Sequence, residues 1–250
     1  MAGLMLFPGE DAKDLSRAFR GLALERPTPW GTALVYLTAP PPEEFVPEEM
    51  VGKLAVGMAY IYAGDVEAGE EHVKPFKELG PSVDLVSPMQ YADFQCMIDD
   101  PPDHYNYWSA DYHNELNDDA LDLLVDSAQR LPGPHSQQLV ARWGRSRGRP
   151  CCSEYSVAAP GCSLGQPSLR SVRNTGGRTG AKAWVKQFRQ DIAPPHTTGG
   201  VWLNFIGDEG QDRIMAAYGE QNYRRLSLVK REFDPDNVFR GNQNILPAQH

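Results

Sequence analysis

A chain of 250 residues, 41% hydrophobic and 10% aromatic, is long and apolar enough to bury a sizeable core as one large domain or two small ones. Its net charge of -9, with no Lys/Arg stripe interleaved with aromatics, argues against a nucleic-acid partner. No apolar run of about 18 residues exists to span a membrane, and the start MAGLMLFPGEDAKD lacks the basic flank of a signal peptide, so a cytoplasmic protein is expected.

In chain order, residues 10–26 place Leu15, Phe19 and Leu22 on one helical face. GTALVYLT (31–38) and KLAVGMAYIY (53–62) read as strands joined by a Pro-rich loop. Asp65 is a candidate cap for a helix carrying Val66, Val73, Phe76 and Leu79 that stops at Gly80. A short strand at 82–87 and a helical stretch at 90–98 follow, then the aromatic strand HYNYWSADYH (104–113). Asn117 caps the next predicted helix. Asp118 and Asp119 favour its positive end, Leu116 can staple onto Leu121, and Leu121, Leu124, Val125 and Ala128 form its apolar stripe. Beyond it lie a strand at 135–143, a helix at 181–192, a strand GGVWLNF at 199–205, and helices near 210–218 and 221–232. This order predicts an α+β fold, an antiparallel sheet with helices packed on one face.

One stretch breaks the pattern. Residues 144–181 hold seven Gly, six Arg, six Ser and three of the four Cys, with Glu154 as the sole acid, and neither a strand nor a helix period survives there. A structureless loop of this length is unusual inside a compact domain. A basic linker and a metal or disulfide site on Cys151, Cys152 and Cys162 are two readings, the latter without C-x₂-C spacing or a usefully placed His. The preferred reading is translation out of frame from a GC-rich gene. Moving the codons of Asn174 to Arg178 by one base permits Thr-Pro-Glu-Asp, an acidic turn suited to a loop before a helix. Reading the coding DNA in all three frames tests it.

Several chemistries lack their residues. The six His do not cluster, there is no His-Glu-x-x-His, and no Gly-x-Ser-x-Gly elbow is present. No metal ligands are therefore expected. NTGGRTGAK imitates a phosphate loop with the wrong spacing, and the Asp99–Asp100 and Asp118–Asp119 pairs read as turn and helix-start residues.

The last fifty residues carry a signature. GGVWLNFIGDEG is followed by AAYGEQNYRRLSLVKREFDPDNVFRGNQNILP, and the ending is similar to Tyr-Asp-Pro-x-Asn-x-Phe-Arg-x-Asn-Gln-Asn-Ile, with only Phe233, in the Tyr position, departing. The chain resembles the C-terminal half of the berberine bridge enzyme-like FAD-linked oxidases, in the vanillyl alcohol oxidase superfamily. LTAPP (37–41), YAGDVEAGE (62–70) and NYW (106–108) extend the resemblance, Gln221 is an extra residue, and the likeness fails over 144–181. A shifted frame would give that region acids and apolar residues more like the family's.

The resemblance implies a substrate-binding α+β domain over 1–205 and a C-terminal segment over 206–250 that returns to an FAD domain. Family members begin with that FAD domain, which usually supplies the residues bonded covalently to the flavin; those have no counterpart here, so a truncated gene product, a split second half or a remnant is expected. FAD is the implied cofactor, a small molecule the substrate, and a separate FAD-binding domain chain a possible partner. Amides present donors and acceptors suited to a flavin's pyrimidine edge. Asn242, Gln243 and Asn244, with Asn204 on the predicted VWLNF strand, are the candidate cofactor residues; the alternative is that these amides satisfy turn and strand-end backbone groups. Tyr107, Trp108 and Trp202 are the candidate substrate-lining residues, with core packing the alternative for the first two. Trp202 and Phe205 occupy places where many family oxidases have Tyr, and neither can act as a base. No catalytic residue is assigned, although Phe205 resembles a bacterial branch. Two functions stay open: a fragment of an FAD-dependent oxidoreductase acting on a small alcohol, sugar or secondary metabolite, or a noncatalytic remnant that does not hold flavin alone.

Overall fold

The computed structural model describes residues 1–25, 30–41, 45–97, 105–113, 116–141, 166–174, 178–192, 196–241 and 243–249. Seven strands form one sheet: β1 (Ala2–Pro8), β2 (Trp30–Thr38), β3 (Leu54–Tyr62), β4 (Val83–Asp84), β5 (Tyr105–His113), β6 (Ser136–Ala141) and β7 (Gln166–Asn174), in the order β4-β1-β3-β2-β6-β7-β5. Every pairing is antiparallel, for example Leu34 with Met58 and Ala110 with Leu169. The helices are α1 (Ala12–Glu25), α2 (Val66–Lys77), α3 (Tyr91–Met97), α4 (Asp118–Ala128), α5 (Arg178–Ile192), α6 (Gln211–Tyr218) and α7 (Glu220–Phe233). Among the described residues no helix is long and apolar enough to cross a membrane.

The period-2 alternation of the strands sorts their side chains onto two faces. Met5, Phe7, Leu34, Tyr36, Val56, Met58, Tyr60 and Val140 face the main core. Their partners come from α1 (Leu15, Phe19), α2 (Val73, Phe76), α4 (Leu121, Leu124, Val125) and α5 (Phe188, Ile192), so the main helical layer lies on one face, as expected. Each fully buried aliphatic side chain there contributes about 1.5–3 kcal/mol relative to exposure. On the other face, Leu6, Ala55 and Val83 are covered by Ala39, Val46 and Met50 from the β2–β3 connection. Further along, Ala110 packs with Val201, Ile206 and Ala217.

Local signals act as expected in most places. Asn117 Oδ1 accepts from Ala120 N at 2.9 Å, closing the start of α4. Gly80 takes φ +74 just past α2, a conformation open to glycine at no steric cost. Asp65 stands at the start of α2, but its side chain makes no capping bond. Gly69 admits Met1 and Tyr62: a Cβ there would lie 2.7 Å from Met1 Cγ.

Two expectations need correction, and one strand was not expected. β1, whose residues carry only a short apolar run in sequence, lies second from the edge of the sheet between β4 and β3. The stretch 199–205 is not a strand: after bonding to Tyr112 the chain leaves the β5 edge and turns through a 3-10 segment at Leu203–Phe205. The atypical segment contains β7, held between β6 and β5, because backbone pairing to two neighbours overrides a weak side-chain pattern. Its Cys151, Cys152 and Cys162 lie outside the described residues, as do positions 26, 98, 104 and 142–143 of the expected elements.

Candidate functional site

The amide-rich ending folds back onto the turn that precedes α6. Gln243 Nε2 donates to Ile206 O at 2.8 Å and to Gly207 O at 3.4 Å. Gln211 Nε2 donates to Asn244 O at 3.2 Å, Leu246 N to the Tyr223 hydroxyl at 3.3 Å, and Ala248 N to Ser227 O at 3.0 Å. The return begins at a turn built on Asp234. Its carboxylate accepts from Val238 N at 2.7 Å and Phe239 N at 3.1 Å and pairs with Lys230, while Asn237 takes a positive φ of 52. The hydrogen bond from Lys230, with those two backbone donors, holds the Asp234 carboxyl below its ordinary range.

The turn brings two aromatic side chains, Trp202 and Phe205, against a third on β5. The Phe205 ring lies edge-on to Trp108 of β5, centroids 5.4 Å apart, and to Trp202 at 6.3 Å. Such T-shaped contacts set a ring's positive edge against a neighbour's negative face. Trp108, Trp202 and Phe205 are each half-buried, and Asn204, between Leu203 and Phe205, is exposed. The corner and Gln243 therefore meet at 202–207. Asn242 lies outside the described residues.

Tyr107, next to Trp108 on β5, packs with Ala181, Trp184 and Val185 of α5, and Lys182 Nζ lies 5.0 Å from its ring centroid. Its ring edge also abuts Gly207, where a Cβ would lie 2.9 Å from Tyr107 Cε2, so Tyr107 borders the 202–207 turn as well. Burial, then the negative charge of Glu209, raise the Tyr107 phenol above its ordinary range.

Sequence reasoning missed the charged cluster beside the corner. Arg213 Nη1 pairs with Asp111 Oδ1 at 2.7 Å and its Nε with Glu209 Oε2 at 2.9 Å; Arg189 Nε and Nη1 reach Asp111 Oδ2 and Glu209 Oε2, both at 3.1 Å. Glu209 and Arg213 are four residues apart at the start of α6, but Asp111 and Arg189 come from β5 and α5, so no local spacing announces the whole cluster.

The arrangement fits a flavin edge in part. The Gln243 donors are spent on backbone carbonyls, while its Oε1 keeps acceptor capacity; exposed Asn204 offers both a donor and an acceptor.

Residues 201–246 match the family described as berberine and berberine like. An FAD-linked oxidoreductase of Dictyostelium discoideum is 26% identical over 199 residues, covering 76% of this chain and 42% of the relative. The uncharacterized FAD-linked oxidoreductase YgaK of Bacillus subtilis is 22% identical over 211 residues, covering 82% of this chain and 46% of its own. In fold, the chain superposes on 6-hydroxy-D-nicotine oxidase from Arthrobacter nicotinovorans with a TM-score of 0.74 at 17% identity, covering 99% of this chain and 55% of that one. Residues 201–246 are therefore similar to the berberine and berberine-like family, and the chain is similar to FAD-linked oxidoreductases, spanning about half the length of the relatives it matches.

Proposed function

We propose that this chain is the substrate-side half of an FAD-dependent oxidoreductase that oxidises a small alcohol, sugar or secondary metabolite. The observation that carries the proposal is the Gln243 bond to Ile206 and Gly207, because it brings the closing amides to the corner formed by Trp108, Trp202 and Phe205. Asn204, Gln243 and Asn244 would hold the edge of the flavin, with Trp108 and Trp202 against the substrate. Bound there, FAD would supply a hydride acceptor. This chain's own residues would orient the substrate and exclude water through the aromatic corner, since none of those three rings can take a proton.

The FAD-binding part is proposed to come from elsewhere, in the same polypeptide or in a separate chain. α7 supports this reading, since of its residues only Ser227 is buried, while Val229, Phe233 and Phe239 beyond it are 52%, 77% and 81% exposed. A helix and following turn that display large apolar side chains form a surface suited to being covered by a partner. A cytoplasmic setting and a bacterial-type lineage belong to the same proposal.

The second reading is a ligand-binding module without redox chemistry, favoured because the three described rings of the corner, Trp108, Trp202 and Phe205, cannot take a proton. Purification of the chain alone, and co-expressed with an FAD-binding domain, separates the two. Oxidised-flavin absorbance retained by either preparation supports the oxidoreductase reading; a colourless product from both rejects it.

A further inference from the structure

β5 is the outer strand of the sheet, and its free edge is paired unevenly. At one end Tyr112 N donates to Gly200 O at 3.1 Å and Thr198 N donates to Tyr112 O at 2.8 Å; at the other Gly207 N donates to Trp108 O at 2.8 Å. Between these anchors, residues 201–206 stand opposite 109–111 alone, so the chain must bulge away, and the bulge carries Trp202, Asn204 and Phe205. The ladder therefore cannot fix the bulge, and the carbonyl of buried Ala110 loses its expected strand partner. Arg213 Nη2 takes that place, donating to Ala110 O at 2.7 Å.

The same guanidinium carries the ion pairs to Asp111 and Glu209, and Arg189 closes the ring from α5. The Arg213 and Asp111 side chains are 12% exposed and that of Glu209 4%, so water screens the ring poorly and its geometry is demanding. Glu209 follows the bulge by three residues and Arg213 lies in the first turn of α6. The ring thus ties the far end of the bulge to β5 at the point where backbone pairing is missing.

We infer that Arg213 is a positioning residue: its guanidinium stands in for a strand partner at Ala110 and, through Asp111, Glu209 and Arg189, sets the pose of the 201–206 bulge and its aromatic corner. The inference goes beyond the proposed oxidoreductase and holds whether or not flavin binds.

The test uses the full chain without ligand. Arg213→Met, Arg213→Lys and Glu209→Gln are compared with the parent by hydrogen exchange of 199–210 and of α4, and by near-ultraviolet circular dichroism of the Trp108–Phe205–Trp202 corner. In Arg213→Met, exchange of 199–210 is expected to accelerate roughly tenfold or more while α4 is unchanged, and the aromatic dichroism to collapse. Arg213→Lys restores one donor and should recover part of both signals. Equal acceleration in α4, or an unaltered aromatic spectrum despite lost stability, overturns the inference. If Arg213→Met does not fold, Glu209→Gln keeps shape and decides alone, with unchanged exchange at 199–210 counting against.

Discussion

The side-chain amide of Gln243 donates to the backbone carbonyl of Ile206 across 37 positions of sequence, joining the last turn of the chain to the stretch that opens the berberine-like segment. Replacing Gln243 by Leu leaves the Ile206 and Gly207 carbonyls without this donor. The expected cost is about 1 kcal/mol, confined to the closing segment. Limited proteolysis should show faster cleavage after 241 with an unchanged core melting transition, and resistance equal to the parent would contradict the latch.

Tyr36 is buried in the main core, its hydroxyl 2.6 Å from Ser16 Oγ, and burial drives its phenol far above the ordinary value. The folded state therefore keeps this proton after the unfolded chain has begun to lose it. Stability from this group is full below the unfolded value of about 10 and falls as pH rises beyond it. Tyr36→Phe should flatten alkaline destabilisation measured by urea midpoints above that pH. A slope identical to the parent's would show that Tyr36 is not its source.

At the start of α4, Asn117→Ala removes the bond from Ala120 N. A loss of about 1 kcal/mol is expected, and Asn117→Asp should recover most of it. Denaturant midpoints compared across the three proteins are the check.

Phe233 and Phe239 are 77% and 81% exposed, so serine at both positions removes little folded-state packing. The double variant should melt within about 0.5 kcal/mol of the parent, yet bind less hydrophobic dye and associate less with an FAD-binding domain. Reduced stability with undiminished dye binding would place these rings in the core instead.

The main helices and most strands were legible because their signals are local. Leu121, Leu124, Val125 and Ala128 repeat at helical spacing, and Asn117 announces its own cap. GGVWLNF was misread because its apolar run resembles a strand, whereas the bonds of Tyr112 and Trp108 admit it only at its ends. β7 was hidden because QPSLRSVRN has no clean alternation, and its place depends on β5 and β6. At the site, the closing motif announced its amides, but the Arg213 ring joins residues from β5, α5 and α6. Only the folded topology assembles it.

The position of β7 also orders events in time. β5 is made early, but its neighbour in the sheet is β7, with Tyr105 opposite Asn174. At synthesis rates of about 5–20 residues per second, β5 waits several seconds for that partner, with its hydrogen-bonding groups open to other chains. The stretch between them governs how long that window lasts, so the yield of folded protein should depend on translation speed through 114–174 more than on the speed through the helices that precede it.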